Sequence, residues 1–418
     1  MLVRFRDDCE SPDQRASHRE MEVVMHPPEK PKQIDRREFV KMVTVGGIAA
    51  ALPAVAPGNI LGQDKKPTPK PATNIKDALK VPRNAASMPG KMPGAVVQTY
   101  HDGSIANDKV DLAVVDEMVR KSLMELTGAS TAAAAWKTFV APEDVVGLKV
   151  NPVAGKTLST SLEITHAIIR QLEEAGIPKK NIVIWDRREF ELHEVGFTSE
   201  NFPGIKVIGT ERKDDKGSYY DVNGALYGKQ MIDESWYYWA DVEQKYDAET
   251  MPYMINEGKY SYFGTICTKD VTKIINIPIL KNAGPTVTLC LKNLAFGCIS
   301  NTGRLHQQLW AETCAEVPAF APIRDKVVLN IVDGIKGCYN GGPGADPKFF
   351  TEYKTVLVGT DPVAVDRIGY EIVLKKRLEE KVQKAEAPVG RKFMELARDL
   401  GLGVADLEKI NLQNLKLS

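Results

Sequence analysis

The chain has 418 residues, 43% of them hydrophobic and 26% charged, which is ordinary globular composition with length enough for a large core or two domains. Basic and acidic residues both total 55, so the formal net charge is zero, and there is no bulk electrostatic case for nucleic acid or an anionic membrane. Six cysteines, at 9, 267, 290, 298, 314 and 338, form no CxxC pair, which argues against a zinc ribbon or a ferredoxin-type cluster. They read first as buried small hydrophobes, with a disulfide or a thiolate ligand as the alternative.

Residues 1–33 are polar and Pro-rich, with no apolar period. Asp35-Arg36-Arg37-Glu38-Phe39-Val40-Lys41 follows, and then an apolar, Gly/Ala-rich stretch from Met42 to Ala56. The paired arginines, the hydrophobic residue two positions on and the lysine before the apolar core resemble a twin-arginine export signal. At about 15 residues that core is short for a membrane-spanning helix, which needs about 20. Ala54-Val55-Ala56 fits a small-x-small cleavage site, although Pro57 directly after it is unfavourable. The resemblance implies export through the twin-arginine machinery to a periplasmic or extracytoplasmic site. Membrane contact is then expected only through the signal, if it stays uncleaved. The division expected is an extension and signal over 1–62, a Lys/Pro/Ala/Asn-rich linker over 63–94, and a folded body over 95–418.

In the body a strand begins at Ala95, and 111–126 has helical apolar spacing through Leu112, Val115, Met118, Val119 and Leu123. Val145–Val150 reads as a buried strand whose Lys149 must find water or an anion, and Asn151-Pro152 ends it. Thr160-Ser161-Leu162-Glu163 reads as a capping box opening a helix. His166 borders its apolar face and reads as a packed, hydrogen-bonded histidine. Strands follow at 181–186 and 205–208. Strand, helix and strand on short links predict parallel βαβ units. The fold class is therefore α/β, a mostly parallel sheet with flanking helices. An aromatic-rich insertion at about 214–262 reads as carrying its own small core, or as a lid. The tail, 391–418, reads as a helix, a Gly-rich turn and a short second helix.

The stretch from Lys273 to His306 carries the densest polar signal. An apolar strand, Ile274 to Leu280, ends in Lys281 and Asn282. A Gly284-Pro285 break follows, and then a helix-like segment from Thr286 to Cys298 bearing Lys292 and Asn293 off its apolar face. Further on, a strand at 327–332 ends in Asp333-Gly334, and a Gly-rich loop containing Gly341-Gly342-Pro343-Gly344 follows it. After a last strand at 355–359, Asp361 reads as a helix cap and Pro362 as the first helical residue, with Asp366 one turn on. Ligands of open α/β sheets bind beyond the carboxyl ends of strands. This predicts a site with Lys292, His306 and Asp333 as catalytic candidates and Lys149, Asn151, Lys281, Asn293, Gly342 and Asp366 as ligand-binding ones. Several lysines converging would repel, at about 4 kcal/mol per pair at 4 Å and an effective dielectric near 20, unless an anion or the two aspartates relieve them. An anionic small molecule is the expected partner, and no metal ligand set is predicted.

Together GLKVNP (147–152), the strand and loop at 274–284, CLKNLAFG (290–297) with His306, VDGIKGCYNGGPG (332–344) and GTDPVAVD (359–366) resemble the domain of unknown function 362 family, in the family's order. Some members carry a separate iron–sulfur module, so the resemblance implies a redox connection, but the cofactor stays unknown and no cluster motif stands in this chain. Where the family commonly has Lys-x-His, this chain has Lys281-Asn282-Ala283, so no metal role carries over there. GxSxG, HExxH and the dinucleotide fingerprint are missing. The sequence leaves open whether the protein is an enzyme acting on a small anion, a non-catalytic periplasmic cofactor carrier, or a scaffold binding a partner.

Overall fold

The computed structural model describes residues 70–418 apart from 215, 227, 244–257, 285, 345 and 387. The twin-arginine segment, the linker up to residue 69, Tyr246 and Tyr253 of the insertion, and Pro285 lie outside the described residues.

The chain opens with a short helix α1 (Ile75–Lys80) and the strand β1 (Ala95–His101). Residues 70–94, read as linker from their composition, lie against the body: Met88 is buried and donates its amide to the Arg324 carbonyl at 2.8 Å. Helix α2 (Leu112–Thr127) starts at Asp111, whose carboxylate takes the amides of Ala113 and Val114, and stops at Gly128 in the left-handed region. Of its predicted stripe, Val115, Met118, Val119 and Leu123 are fully buried, while Leu112, the first helical residue, is exposed.

The unit β2 (Val146–Lys149), α3 (Leu162–Glu174), β3 (Ile182–Arg188), β4 (Lys206–Glu211) is parallel throughout, as the spacing predicts. The cap of α3 is Ser161 rather than Thr160. Thr160 is drawn away by a tertiary contact: its hydroxyl accepts from the Asn151 amide and donates to the Ile277 carbonyl. His166 stacks on Phe202 at 4.3 Å, a packed histidine whose pKa burial lowers.

The insertion forms an antiparallel hairpin, β5 (Ile232–Trp239) and β6 (Tyr260–Gly264). Tyr237, Tyr260 and Tyr262 make their own aromatic cluster, while Tyr238 and Phe263 point the other way into the main core. There the Tyr238 hydroxyl donates to Glu316 at 2.8 Å.

The single strand expected at 274–280 is two, β7 (Lys273–Asn276) and β8 (Ile279–Ala283). Pro278 has no amide to donate, so the ladder breaks there, although its carbonyl still accepts from Asp333. Thr286–Thr288 is a strand, β9, pairing back on β8, so the helix expected from 286 is shorter: α4 (Cys290–Gly297). The chain continues through α5 (Trp310–Glu316), the long β10 (Val327–Cys338), β11 (Thr355–Gly359), α6 (Pro362–Glu379) and α7 (Lys392–Asp399). The last segment is a strand, β12 (Asn411–Leu417), not a second helix. It runs parallel along the otherwise open edge of β1, and that ladder outweighs the local helical tendency.

The main sheet runs β12-β1-β11-β10-β7-β2-β3-β4, with β8 and β9 branching from β10. The class is thus mixed α/β with a largely parallel centre. Both faces are covered: Ile274 packs on one side and Ile275 on the other, each fully buried. The chain fills β2, β3 and β4 outward in one direction, then returns to place β7 on the other side of β2. Strand order therefore reverses between β2 and β7, and a crevice opens beyond their carboxyl ends. Among the described residues no helix is long and apolar enough to cross a membrane.

Candidate functional site

The crevice is built on two buried lysines with opposite surroundings. Lys149 ends β2 and has no solvent exposure. Its ammonium donates to the Asp186 carboxylate, to Asn293 Oδ1 at 3.0 Å and to the Val150 carbonyl at 2.9 Å. Parallel register places Trp185 beside Lys149, so Asp186 is the next residue up the neighbouring strand. Gly297 makes room for the pair, since a Cβ there would collide with the lysine's Cε and Nζ. With all three donors satisfied, Lys149 is held as structure.

Asn293 is the hub. Its oxygen accepts from Lys149 and from Asn151 Nδ2 at 3.1 Å, and its nitrogen donates to the Lys149 carbonyl and to Asn276 Oδ1 at 2.8 Å. Asn276 passes the chain to Asn330 at 2.9 Å, and Asn330 reaches the carbonyls of Gly359 and Thr360. Asn276 and Asn330 are partners in the β7–β10 register. This ladder of amides satisfies polar groups that burial would otherwise penalise.

The second buried lysine, Lys281 on β8, meets no carboxylate among the described residues. Its Nζ donates to Asn151 Oδ1 at 3.1 Å and to the Val153 carbonyl at 2.6 Å. Burial, then the nearby Lys292 charge, pushes its pKa down to about 7.

Asp366 fixes the helix that bears Lys292. Its carboxylate accepts the Cys290 and Leu291 amides at 2.6 and 3.0 Å, capping α4 from α6. It is fully buried, and burial raises its pKa to about 7 against those amides. Lys292, in the first turn of α4, has its Nζ 5.1 Å from the Phe296 ring centroid and no hydrogen bond or ion pair among the described residues. Burial and then Arg187 lower its pKa. His306 leans on Phe296 at 4.5 Å. Its Nδ1 faces the carbonyls of Thr302 and Gly303, so it carries the proton and Nε2 is left as an acceptor. The residue keeps an exposed edge, yet the ring's partial burial, then Lys292 and Arg187, push its pKa down to about 4.

These groups enclose a cavity of about 140 Å³ lined by Asn151, Lys281, Lys292, Asn293 and His306 together with Asp186, Arg187, Thr288 and others. That is close to the cavity of about 150 Å³ that holds a benzene. Arg187 bonds Thr302 and lies 3.6 Å from Glu211. Thr288 faces Lys281 across the β8–β9 ladder, is 4% exposed, and its hydroxyl has no partner among the described residues.

Six predicted residues, Lys149, Asn151, Lys281, Lys292, Asn293 and His306, thus come together. Lys149 stands behind the lining, bonded to Asn293 and Asp186, and the other three do not line the cavity either. Asp333 faces α3, accepting from Ser161 N and Oγ at 2.8 and 2.7 Å, and borders a separate cavity of about 470 Å³. Asp366 acts as a cap. Gly342 packs against the Asn282 carbonyl, where a Cβ would not fit, and its neighbour Pro343 lines the cavity. Asp186, Arg187 and Thr288 were missed as site residues. The first two carried a signal, standing at the tip of a predicted strand.

The five described cysteines do not assemble a cluster site. Cys267 and Cys298 are hydrogen-bonded neighbours, Cys290 sits against Asp366, and Cys314 and Cys338 lie on separate elements. Among the described residues no group of three or more His, Cys, Asp or Glu side chains is placed to hold a metal ion.

The fold and crevice define an α/β protein with a polar site at a strand-order reversal. Residues 244–371, which hold β8, β9, α4 and β10, match the family model described as Domain of unknown function (DUF362), which supports the family read from the motifs. No curated protein matches. Among solved structures, a Thermotoga maritima protein is similar at 10% identity and a TM-score of 0.35, over 65% of this chain and 60% of that one. The chain therefore matches less than two thirds of that structure's length.

Proposed function

We propose that this protein binds a small anionic molecule in the cavity between Lys292, Thr288, Arg187 and His306. The observation that carries the reading is Lys292: a cation with no acceptor among the described residues, beside a buried Thr288 hydroxyl likewise unpartnered among them, with Arg187 and His306 at the same cavity. Such an ammonium is unfavourable until an anion arrives, and the orphaned hydroxyl supplies a second donor to it. The volume suits a molecule of about six non-hydrogen atoms, such as phosphate or a short carboxylic acid. His306 Nε2 supplies an acceptor at the rim, so a substrate O–H has somewhere to bind.

The test is thermal denaturation of the native protein against a panel of inorganic phosphate, oxalate and short hydroxy and oxo acids. A stabilising anion whose effect is lost in Lys292→Met, with the variant still folded, supports the reading. A panel without effect on either protein sinks it. Turnover of the bound anion would make the protein an enzyme, and binding alone a carrier. Export rests on Arg36-Arg37 and the apolar stretch behind them. Replacing both arginines by lysine should hold the protein in the cytoplasm.

A further inference from the structure

The two buried lysines are a controlled comparison within one site. Lys149 has three acceptors, one of them a carboxylate, which matches the three donors of an ammonium. Among the described residues Lys281 has two, both neutral: an amide oxygen and a backbone carbonyl. Two donors and a lone pair are the inventory of an uncharged amine. The anions near Lys281 are each committed elsewhere or uncharged. Asp186 is taken by Lys149, and Glu191 bonds Arg188 at 3.0 Å. The Cys338 thiol is held protonated by burial and donates to the Asn340 carbonyl. The remaining charged neighbours in the cavity, Lys292 and Arg187, are cations and oppose a further positive charge.

Resting on the anion-site reading above, we propose that Lys281 rests as a neutral amine and is the site's proton acceptor, taking a proton from an acidic O–H or C–H of the anion held at Lys292. The Nζ lone pair forms the new N–H bond as the substrate's bond to that hydrogen breaks. The electron pair stays on the substrate, whose extra negative charge Lys292, Arg187 and the new Lys281 ammonium then neutralise. Asn151 positions the amine through its oxygen and is itself fixed by Asn293. The ligand class is therefore narrower than any anion: a small acid that still carries a removable proton when it binds. Cross-strand pairing sets Thr288 opposite Lys281, so the orphaned hydroxyl and the amine address the same molecule.

The experiment is a pH titration of the full chain labelled with ¹³C at lysine Cε, followed by NMR, with Lys281→Met assigning the signal. The expected result is a lysine titrating near 7 that disappears in Lys281→Met and moves upward in Lys292→Met. Saturating inorganic phosphate, which binds with an acidic O–H, should move it further up as Lys281 takes the proton. If no wild-type lysine titrates below about 9, Lys281 is an ordinary ammonium anchor and the proposal falls, whether or not the variant folds. A signal near 7 that ignores bound phosphate also overturns the proton-acceptor role. Absence of phosphate binding altogether, with the midpoint still near 7, counts instead against the anion site.

Discussion

Replacing Asp186 by asparagine keeps the shape of the Lys149 pair and removes its negative charge. Lys149's side chain is 0% exposed and Asp186's 6%, so water cannot take over the carboxylate's role. The lysine keeps Asn293 and Val150 as acceptors, and an amide replaces its counter-ion. Removing one member of a buried pair in this way costs about 3–5 kcal/mol, because the other charge is left uncompensated. Against a whole-domain stability of about 5–15 kcal/mol, that is a large share. The double variant Lys149→Met with Asp186→Asn removes the stranded charge too, and should recover at least about 1–2 kcal/mol of the loss. The assay is urea denaturation followed by circular dichroism and by fluorescence, since Lys149 Nζ stands 5.7 Å from the Trp185 ring. A loss in Asp186→Asn below about 1 kcal/mol, the value of a surface pair, would refute the assignment of this pair as buried structure.

Three further outcomes follow from the same contacts. Gly297→Ala drives a Cβ into Lys149 and Asp186 and should destabilise by about 1–3 kcal/mol in the same assay, the usual cost of overpacking. Asp366, with its folded pKa raised to about 7, binds its proton more tightly in the folded state, so its stabilising effect is present at low pH and is lost as pH rises from about 4 to 7. Asp366→Asn should flatten the stability–pH profile over that window. His306 should stay uncharged down to about pH 4, so its ring-proton NMR signals should not titrate between pH 5 and 8.

The convergence of these polar residues on one cavity was readable because parallel strands deliver their carboxyl ends to one edge. A lysine or asparagine closing an apolar run, as Lys149 and Asn151 do, is therefore near its counterparts on other strands. The partners were not readable, since that Asp186 answers Lys149 depends on register between strands 37 residues apart. Asp333 was drawn into the same site because strand ends were read without parity. Side chains alternate along β10, so Asn330 and Val332 face one layer while Leu329, Ile331 and Asp333 face α3. Counting from Asn330 would have separated them. Thr288 was hidden because 286–288 was read as the start of a helix, and only its pairing with Lys281 shows its role. The strand at Asn411–Leu417 was missed for a similar reason: the open edge of β1, not local propensity, decides its conformation.

An anion held in the cavity under Lys292, as proposed, can be located directly. The most direct measurement is anomalous diffraction from crystals of the native protein soaked in arsenate, a phosphate-sized anion that keeps an acidic O–H and has its own scattering signal. A peak is expected within hydrogen-bonding reach of Lys292 Nζ and Thr288 Oγ1, absent from Lys292→Met crystals treated alike. Arsenate bound at surface lysines with none in the cavity would overturn that reading.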